Sequence, residues 1–195
     1  MKRLCDIILA LAGIMLLSPV YAIVAILVKT EDGGPVLYSG IRVGLGGRRF
    51  RMHKFRTMVV NADRIGGASS ADDDPRITRT GRTLRKLKLD ELPQLFNVLK
   101  GDMSFVGPRP EVPLYVDMFT PDERHILCVR PGITDWASLW NADEGAVLAG
   151  SADPEKTYRE KIRPEKIRLQ LAYVHHHNLW IDFKILVLTA CRLMT

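Results

Sequence analysis

An acidic pair, Asp90 and Glu91, is the group of side chains in this sequence best suited to chemistry. Pro93 follows closely, and proline is well tolerated only in the first turn of a helix, where its missing N–H is not needed. The spacing therefore predicts a helix over residues 90–100, with Asp90 near its N-cap and Gly101 as its C-terminal stop. Capping alone would explain Asp90, because free N–H groups and the helix dipole stabilise a carboxylate there.

The same pair is also suited to a catalytic division of labour. Adjacent helical residues point about 100° apart, so the two carboxylates cannot share one proton, but one can attack while the other binds a metal ion. Basic residues crowd the surrounding sequence, and guanidinium groups match phosphate oxygens in shape and charge. They are Arg76, Arg79, Arg82, Arg85, Lys86, Lys88 and Arg109. A diphosphate substrate fits this set, and a solvated basic surface fits it equally well.

The rest of the sequence predicts an α+β fold that is mainly α-helical and carries a small β-hairpin. Residues 36–38 and 50–52 are typical of short strands, and the glycine cluster at 44–47 is typical of the turn between them. This cluster lacks the Gly-Lys-Ser/Thr ending of a phosphate loop. Further helices are predicted over residues 82–88 and 121–127 and, divided by Pro164, over 156–173, with turns at 107–110 and 130–132.

Two clusters raise the question of a metal site outside the acidic pair. Three consecutive carboxylates, residues 72–74, lie in a polar loop over residues 61–82 that includes the stretch 66–70. Carboxylates in this position before a proline are typical of a solvated turn. Three consecutive histidines, residues 175–177, diverge on a helix and do not converge easily on one ion. The sequence favours a structural interpretation of both clusters over a metal site.

The N-terminus is almost wholly apolar over residues 4–28. At ~1.5 Å per helical residue this run is long enough to cross a ~30 Å hydrocarbon core. A cleaved signal peptide is the first alternative, but its apolar region would be shorter and a small-residue cleavage site would follow. Here the run ends in charged residues and a Gly-Gly-Pro turn, which favours a retained membrane segment.

Ser18-Pro19 interrupts this run, because proline removes a backbone hydrogen bond and bends a helix. Two interpretations remain, a kinked spanning helix and a re-entrant hairpin that returns to the side it entered from. Basic residues flank both ends, at Lys2, Arg3, Lys29 and residues 42–56, and positive flanks prefer the cytoplasm. Re-entry keeps both flanks inside and is favoured.

The last segment, residues 179–194, is predicted to be helical. Trp180 and Phe183 suit an amphipathic helix that lies along a membrane interface, while a helix packed in the core explains the pattern equally well.

Composition excludes few classes of protein. The 195 residues suit one domain, and the net charge of +6 attracts nucleic acid, acidic lipid head groups or nucleotide phosphates. The three cysteines lie far apart, which fits a reducing, cytosol-facing compartment better than a disulfide framework. The sequence has no nucleic-acid motif and no interleaving of aromatic and basic residues, so no nucleic-acid partner is expected.

Residues 89–94 read Leu-Asp-Glu-Leu-Pro-Gln and residues 101–110 read Gly-Asp-Met-Ser-Phe-Val-Gly-Pro-Arg-Pro, with Asn97-Val98 between them. This series resembles the signature of the bacterial sugar transferases, also called monotopic phosphoglycosyl transferases. The resemblance runs in order through the first 135 residues or so, and the short chain is similar to the minimal members of that family. The other agreeing segments are Lys2-Arg3 with Asp6, Ser18-Pro19, and residues 54–58, 74–78 and 130–134.

The resemblance implies a fold and a reaction. Residues 1–30 would form a re-entrant membrane hairpin broken at Ser18 and Pro19, and residues 31–195 a membrane-seated catalytic domain on the cytoplasmic face of the bacterial inner membrane. The enzyme would transfer a phosphosugar from a UDP-sugar to polyprenol (undecaprenyl) phosphate and release UMP. This would be the first membrane step of glycan assembly, with downstream glycosyltransferases or a second copy of the chain as further partners.

The resemblance also implies roles for individual residues. Asp90 would attack the β-phosphate of the donor and hold the phosphosugar as an acyl phosphate. Glu91 would support the second transfer or, with Asp90, a magnesium ion. The substrate-binding candidates are Lys54, Arg56, Arg85, Arg109 and Arg130.

The sequence departs from the family pattern after Thr134, where many relatives continue with Gly-Leu-Ala-Gln and then Asn-Gly-Arg. The stretch 135–145 differs, which affects the expected sugar specificity more than the reaction type. Asp143 and Glu144 could bind a group on the sugar or simply begin a helix. Two alternatives remain for the whole chain. A polytopic transferase would need many spanning segments, and a non-catalytic, membrane-tethered scaffold would have no need of the acidic pair.

Overall fold

The computed structural model describes residues 1–65 and 70–193, and that part of the chain is mainly helical. The helices are α1 (Lys2–Leu16), α2 (Ser18–Asp32), α3 (Arg79–Lys86), α4 (Gln94–Lys100), α5 (Pro113–Asp117), α6 (Trp136–Trp140), α7 (Glu144–Leu148), α8 (Pro154–Thr157), α9 (Arg163–His176) and α10 (Leu179–Leu193). The strands are β1 (Leu37–Val43), β2 (Arg49–Phe55), β3 (Ser104–Val106) and β4 (Gly132–Thr134).

The N-terminal run folds as the predicted helix-break-helix. Pro19 lies in the first turn of α2, and the Ser18 hydroxyl donates a hydrogen bond to the Met15 carbonyl at 2.9 Å, so the chain turns between α1 and α2. Among the described residues, no single helix has the length and apolarity to cross a membrane. The pair formed by α1 and α2 meets these criteria only when counted together, and it is bent by 62°.

Both ends of this helix pair are fastened to the rest of the protein. At the start of α1, Lys2 Nζ lies 2.6 Å from Asp182 Oδ2 of α10 and 3.0 Å from the Tyr173 hydroxyl of α9. At the end of α2, Asp32 forms an ion pair with Arg56 that follows β2. The apex near Met15 and Leu16 instead exposes large apolar side chains.

The hairpin of β1 and β2 confirms the two predicted strands and extends both. The strands are antiparallel, and Gly46 and Gly47 adopt left-handed φ angles of 64° and 77° in the turn, which glycine alone adopts without strain. Tyr38, Gly40 and Arg42 stand opposite Lys54, Met52 and Phe50. Because opposite residues of a ladder point to the same side, these side chains share one face of the hairpin.

The start of α4 corrects the predicted position of Asp90. The helix begins at Gln94 rather than at residue 90, and no side chain caps it. Residues 89–91 form a separate 3₁₀ turn instead, which Lys88 enters with a left-handed φ of 55°. Asp90 is therefore not an N-cap, and its carboxylate is available for another task.

The other end of α4 agrees with the prediction. Gly101 ends the helix with a φ of 95°. Buried Asn97 fixes the helix against β2, since its Oδ1 accepts from the His53 amide at 2.9 Å and its Nδ2 donates to the Arg51 carbonyl at 2.7 Å. The acidic turn is thereby held beside the hairpin.

Other boundaries differ from the predicted ones in instructive ways. The helix expected over residues 82–88 is α3, which begins earlier because Thr78 caps it by accepting from the Gly81 amide. Residues 123–128 form a 3₁₀ turn rather than the expected helix. Pro164 does divide two helical stretches, as predicted, because it lies in the first turn of α9 behind a π-helical turn. The predicted loop residues 66–69 lie outside the described part of the chain.

The parallel pair of β3 and β4 was not predicted. Each strand has only three residues, and Ser104 and Val106 pair with Gly132 and Thr134. The backbones approach so closely that a Cβ on Gly132 would lie 2.1 Å from the Gly107 amide nitrogen, so this position requires glycine.

Helix α10 combines both interpretations of the C-terminal segment. Ile185 is fully buried and Asp182 nearly so, whereas Trp180 is 72% exposed and stacks on Phe183, which is also exposed. One face packs in the core and the other presents aromatic side chains outward. The placement of that outer face at a membrane interface stays a prediction.

Candidate active site

The acidic pair lies in a wide cleft between the β1–β2 hairpin, α3, the stretch 133–145 and α9. Glu91 is held by two cations. Lys54 Nζ lies 2.7 Å from its Oε1, and Arg109 binds both carboxylate oxygens, with Nη1 3.1 Å from Oε2 and Nη2 on Oε1. Asp90 is buried, and its nearest ion-pair partner is Lys54, 3.8 Å from its Oδ2.

The pKa values of the two carboxylates are consequently shifted in opposite directions. Burial raises the pKa of Asp90, and Glu91 adds to the rise while the Lys54 charge opposes it. Burial also opposes ionisation of Glu91, but the charges of Arg109 and Lys54 outweigh it and hold the pKa of Glu91 well below its ordinary value. Glu91 is thus a carboxylate held by two cations, with a lowered pKa, and Asp90 is the less engaged carboxylate, with a raised pKa.

Arg109 is placed by the turn that follows β3. Its amide donates to Asp135 Oδ2 at 3.1 Å, and its carbonyl accepts from Gln170 Nε2 at 3.3 Å. Asp135 is itself fully buried and accepts from the Ser138 amide at 2.7 Å as the N-cap of α6. The unpredicted β3–β4 pair therefore fixes the guanidinium that holds Glu91.

Arg85 completes the basic surroundings of the pair. It projects from the last turn of α3 into the same cleft, where its Nε donates to the Thr57 hydroxyl at 2.9 Å and its Nη1 to the Ser70 hydroxyl at 2.8 Å. Burial lowers the pKa of Arg85 and the nearby Asp90 charge opposes that change, but a guanidinium remains charged. Of the predicted site residues, the structure brings together Asp90, Glu91, Lys54, Arg85 and Arg109.

Two predicted substrate-binding residues have their guanidinium groups engaged by other parts of the protein, although Arg56 borders the same cleft as the acidic pair. Arg56 is only 6% exposed, and its guanidinium is used by Asp32 and by the carbonyls of Pro35 and Met58. Arg130 donates to the Gly101 carbonyl at 3.1 Å, at the opposite end of α4 from the acidic pair. Arg56 contacts the C-terminal end of α2 and Arg130 the C-terminal end of α4. A role in substrate binding stays a prediction for both.

A second charged cluster borders the same cleft and was not identified in the sequence. Lys166 of α9 lies 2.6 Å from Glu111 Oε1 and 3.8 Å from Glu144 Oε2, and it donates to the Tyr158 hydroxyl at 3.1 Å. Arg42 interacts electrostatically both with Glu111 of this cluster and with Glu91. In the sequence, the only indication of this cluster is that Lys166 stands among the apolar positions of α9. The residues that Lys166 contacts became apparent only from the fold.

The residues fit a magnesium ion at Asp90 better than at Glu91. Across residues 1–65 and 70–193, no group of three or more acidic, histidine or cysteine side chains could hold a metal ion. Magnesium in phosphoryl-transfer sites commonly takes one or two carboxylates and completes its shell with substrate phosphates and water. Asp90 can serve in this way, whereas both oxygens of Glu91 are bound by Arg109 and Lys54.

The three consecutive aspartates have separate partners. Asp74 forms an ion pair with Arg76, Asp73 accepts from the Gly150 amide, and Asp72 interacts with Asp143. Asp143 begins α7, where its Oδ1 accepts from the Ala146 amide, in agreement with one of its two predicted roles. These contacts join the loop before α3 to the rim of the cleft at α7.

Comparison with known proteins adds independent information. The chain is 41% identical over 199 residues to the UDP-N-acetylgalactosamine-undecaprenyl-phosphate N-acetylgalactosaminephosphotransferase of Aeromonas hydrophila. The aligned region covers 100% of this chain and 44% of that protein. It is 41% identical over 197 residues to the UDP-glucose:undecaprenyl-phosphate glucose-1-phosphate transferase of Xanthomonas campestris, and this alignment covers 99% of this chain and 38% of that protein. An enzyme of the same description from Caulobacter vibrioides is 36% identical over 197 residues, covering 100% and 70%. The chain thus spans less than half the length of the first two relatives.

The family comparison extends over the entire chain. The model of the bacterial sugar transferase family matches residues 1–195, a range that contains the acidic turn, the hairpin and the bent N-terminal helices. The chain therefore belongs to the bacterial sugar transferase family.

Proposed function

We propose that this protein transfers a sugar 1-phosphate from a UDP-sugar to undecaprenyl phosphate through a covalent intermediate on Asp90. The proposal rests on the different surroundings of the Asp90 and Glu91 carboxylates. Glu91 is bound by Arg109 and Lys54, while Asp90 is buried, has a raised pKa and has no cation closer than 3.8 Å among the described residues. Membership of the bacterial sugar transferase family and the activities for which the similar proteins are named support the same reaction class.

The chemistry consists of two displacements at one phosphorus atom. An Asp90 oxygen attacks the β-phosphorus of the donor, the bond to the bridging oxygen breaks, and UMP leaves with that electron pair. A phosphate oxygen of undecaprenyl phosphate then attacks the same phosphorus, the bond to Asp90 breaks, and the carboxylate is regenerated. The products are UMP and undecaprenyl diphosphate sugar.

The surrounding charges suit these steps. Lys54 and Arg109 compensate the two carboxylates, so the donor diphosphate does not meet an uncompensated negative site. Arg85 stands in the same cleft, within the electrostatic range of Asp90. A magnesium ion bound by Asp90 and the donor phosphates would neutralise the diphosphate and improve UMP as a leaving group.

An isotope-exchange experiment tests the covalent step. The purified protein in lipid particles is given magnesium, a panel of UDP-sugars and labelled UMP, without undecaprenyl phosphate. A covalent intermediate forms reversibly in the absence of acceptor, so label is expected to enter one UDP-sugar, which also identifies the donor. UMP release that requires the acceptor, with no exchange of labelled UMP into the donor, would contradict the covalent intermediate. Inactivity towards every donor would favour the alternative of a non-catalytic, membrane-tethered scaffold.

The same proposal includes a membrane location on the cytoplasmic side, with α1 and α2 entering and leaving through one face. Lys2 contacts α10 and Asp32 contacts Arg56, so both ends of the bent pair lie against the catalytic part, while its apex exposes apolar side chains. A spanning pair would place one end on the far side of the membrane, away from these partners.

Labelling of cysteines tests this arrangement. In a chain whose Cys5 and Cys191 are replaced by serine, a cysteine-containing extension is placed before Met1 and compared with native, exposed Cys128. Neither position is expected to react with a membrane-impermeant maleimide in intact spheroplasts, and both should react after permeabilisation. Labelling of the extension alone in intact spheroplasts would show a spanning segment instead.

A further inference from the structure

One face of the hairpin points towards the acidic pair. Lys54 reaches Glu91 from β2, and the register places Tyr38, Gly40 and Arg42 of β1 on the same face as Lys54. Tyr38 and Arg42 border the same cleft as Asp90. The hairpin therefore presents two cationic side chains to the cleft, of which only Lys54 is explained by the acidic pair.

Arg42 differs from the other arginines and lysines near the pair in its partners. Within the described ranges it donates one hydrogen bond, from Nη1 to the neighbouring Ile41 carbonyl at 3.0 Å, and it enters no ion pair. The nearby Glu111 is already bound by Lys166 at 2.6 Å and by the Tyr158 hydroxyl at 2.9 Å. Arg42 is half-buried, so its remaining N–H groups face the cleft without a carboxylate partner.

Tyr38 lies beside this guanidinium because the residue between them has no side chain. A Cβ on Gly40 would lie 3.1 Å from the Tyr38 ring and 3.2 Å from Arg42 Nη1, so both side chains meet above the glycine. Tyr38 is 45% exposed, which leaves the phenol open to the cleft. An aromatic ring next to a guanidinium provides both an apolar surface and a fork of donors.

The charges in the cleft indicate a task for Arg42. The positive charges of Lys54 and Arg109 match the negative charges of Asp90 and Glu91, so they leave no surplus for an anionic substrate. A donor diphosphate brings two further negative charges. Arg85 and Arg42 are the buried or half-buried cations on this part of the cleft that have no ion-pair partner in the described chain.

We propose that Arg42 binds the phosphate of the nucleotide half of the donor, the group that leaves as UMP, and that Tyr38 borders the same subsite. The inference rests on the proposed function, because it assigns the second phosphate of the substrate on which Asp90 acts. Arg42 holds the nucleotide before the first displacement and stabilises the charge on the departing phosphate.

Binding of UMP and of uridine separates this role from a structural one. Arg42→Ala is expected to weaken UMP binding roughly 10- to 100-fold, the range expected from losing hydrogen bonds to a charged group, and to leave uridine binding unchanged. Arg42→Lys keeps the charge and should recover part of the UMP affinity. Arg49→Ala is the matched control, since Arg49 is exposed and pairs with Val43 on the opposite face of the same hairpin.

A short, water-soluble prenyl phosphate distinguishes the two possible sources of phosphate. Arg42→Ala should bind it as the wild type does, and a selective loss of prenyl phosphate affinity would assign Arg42 to the acceptor and overturn the proposal. An unchanged ratio of UMP to uridine affinity in Arg42→Ala would also overturn it. Arginine-dependent UMP binding without isotope exchange in the wild type would support the subsite and contradict the covalent reaction, so the two failures are distinguishable.

Discussion

Replacement of Asp90 with asparagine is expected to lower UMP release roughly 10⁴-fold or more, the scale seen when an enzyme loses its nucleophile. The amide has nearly the same shape as the carboxylate but no negative charge and no ability to form the acyl phosphate. Lys54 and Arg109 remain bound to Glu91, so the local fold should persist. The measurement is UMP release with the accepted donor, together with the intact mass of protein incubated with that donor alone.

The mass measurement should show the added phosphosugar on the wild type and none on the Asp90→Asn variant. Asp117→Asn is the matched control, because Asp117 is an exposed carboxylate at the end of α5. Persistent UMP release and a persistent mass increase in Asp90→Asn would exclude Asp90 as the nucleophile and transfer the role to Glu91. Release without a mass increase in either protein would favour direct attack by the acceptor.

Removal of the Arg109 side chain should have the next largest effect, on stability and on activity together. Arg109→Ala leaves Glu91 ionised and half-buried, with Lys54 as its one remaining ion-pair partner in the described chain. Loss of hydrogen bonds to a charged group costs about 2 kcal/mol of unfolding free energy. Loss of a donor that compensates charge at a phosphoryl-transfer site should lower kcat/KM roughly 100-fold. Chemical unfolding and UMP-release kinetics measure the two effects.

A double-mutant cycle shows whether Arg109 acts through Glu91. Glu91→Gln removes the charge that Arg109 holds, so the combined variant should lose at least about 1 kcal/mol less stability than the sum of the single changes. Additive effects would mean that the two side chains contribute independently, which would contradict the observed contact of Arg109 with both carboxylate oxygens of Glu91. Arg124→Ala, at an exposed arginine in the turn before β4, is the control for loss of positive charge.

Sequence reasoning succeeded where a single residue dictates the backbone. Proline cannot continue a helix, so the break at Ser18-Pro19 and the division at Pro164 were predictable from local chemistry alone. Gly101 ended α4 for the same kind of reason, because its left-handed φ favours glycine. The acidic pair, Arg85 and Arg109 were singled out by residue type and spacing, whereas the family resemblance supplied Lys54 and the role expected of each residue.

The errors lie where long-range contacts decide the local structure. Residues 89–91 form a 3₁₀ turn and Glu91 is bound by Lys54 and Arg109, which come from two separate parts of the chain. The strands β3 and β4 are too short to show a pattern, and at their pairing Gly107 and Gly132 approach too closely to leave room for a Cβ. Arg42 could be assigned to the cleft only once the hairpin register placed it on the same face as Lys54.

The contact between the two ends of the chain has a consequence for the order of folding during synthesis. Lys2 finds its carboxylate on Asp182, 180 residues later, and shares it with Tyr173. A nascent α1 therefore emerges from the ribosome long before its partner exists, and contacts of such sequence separation form late. Lys2 has no carboxylate partner on α10 until that helix is made, so translation of residues 179–193 completes the contact that holds the start of α1.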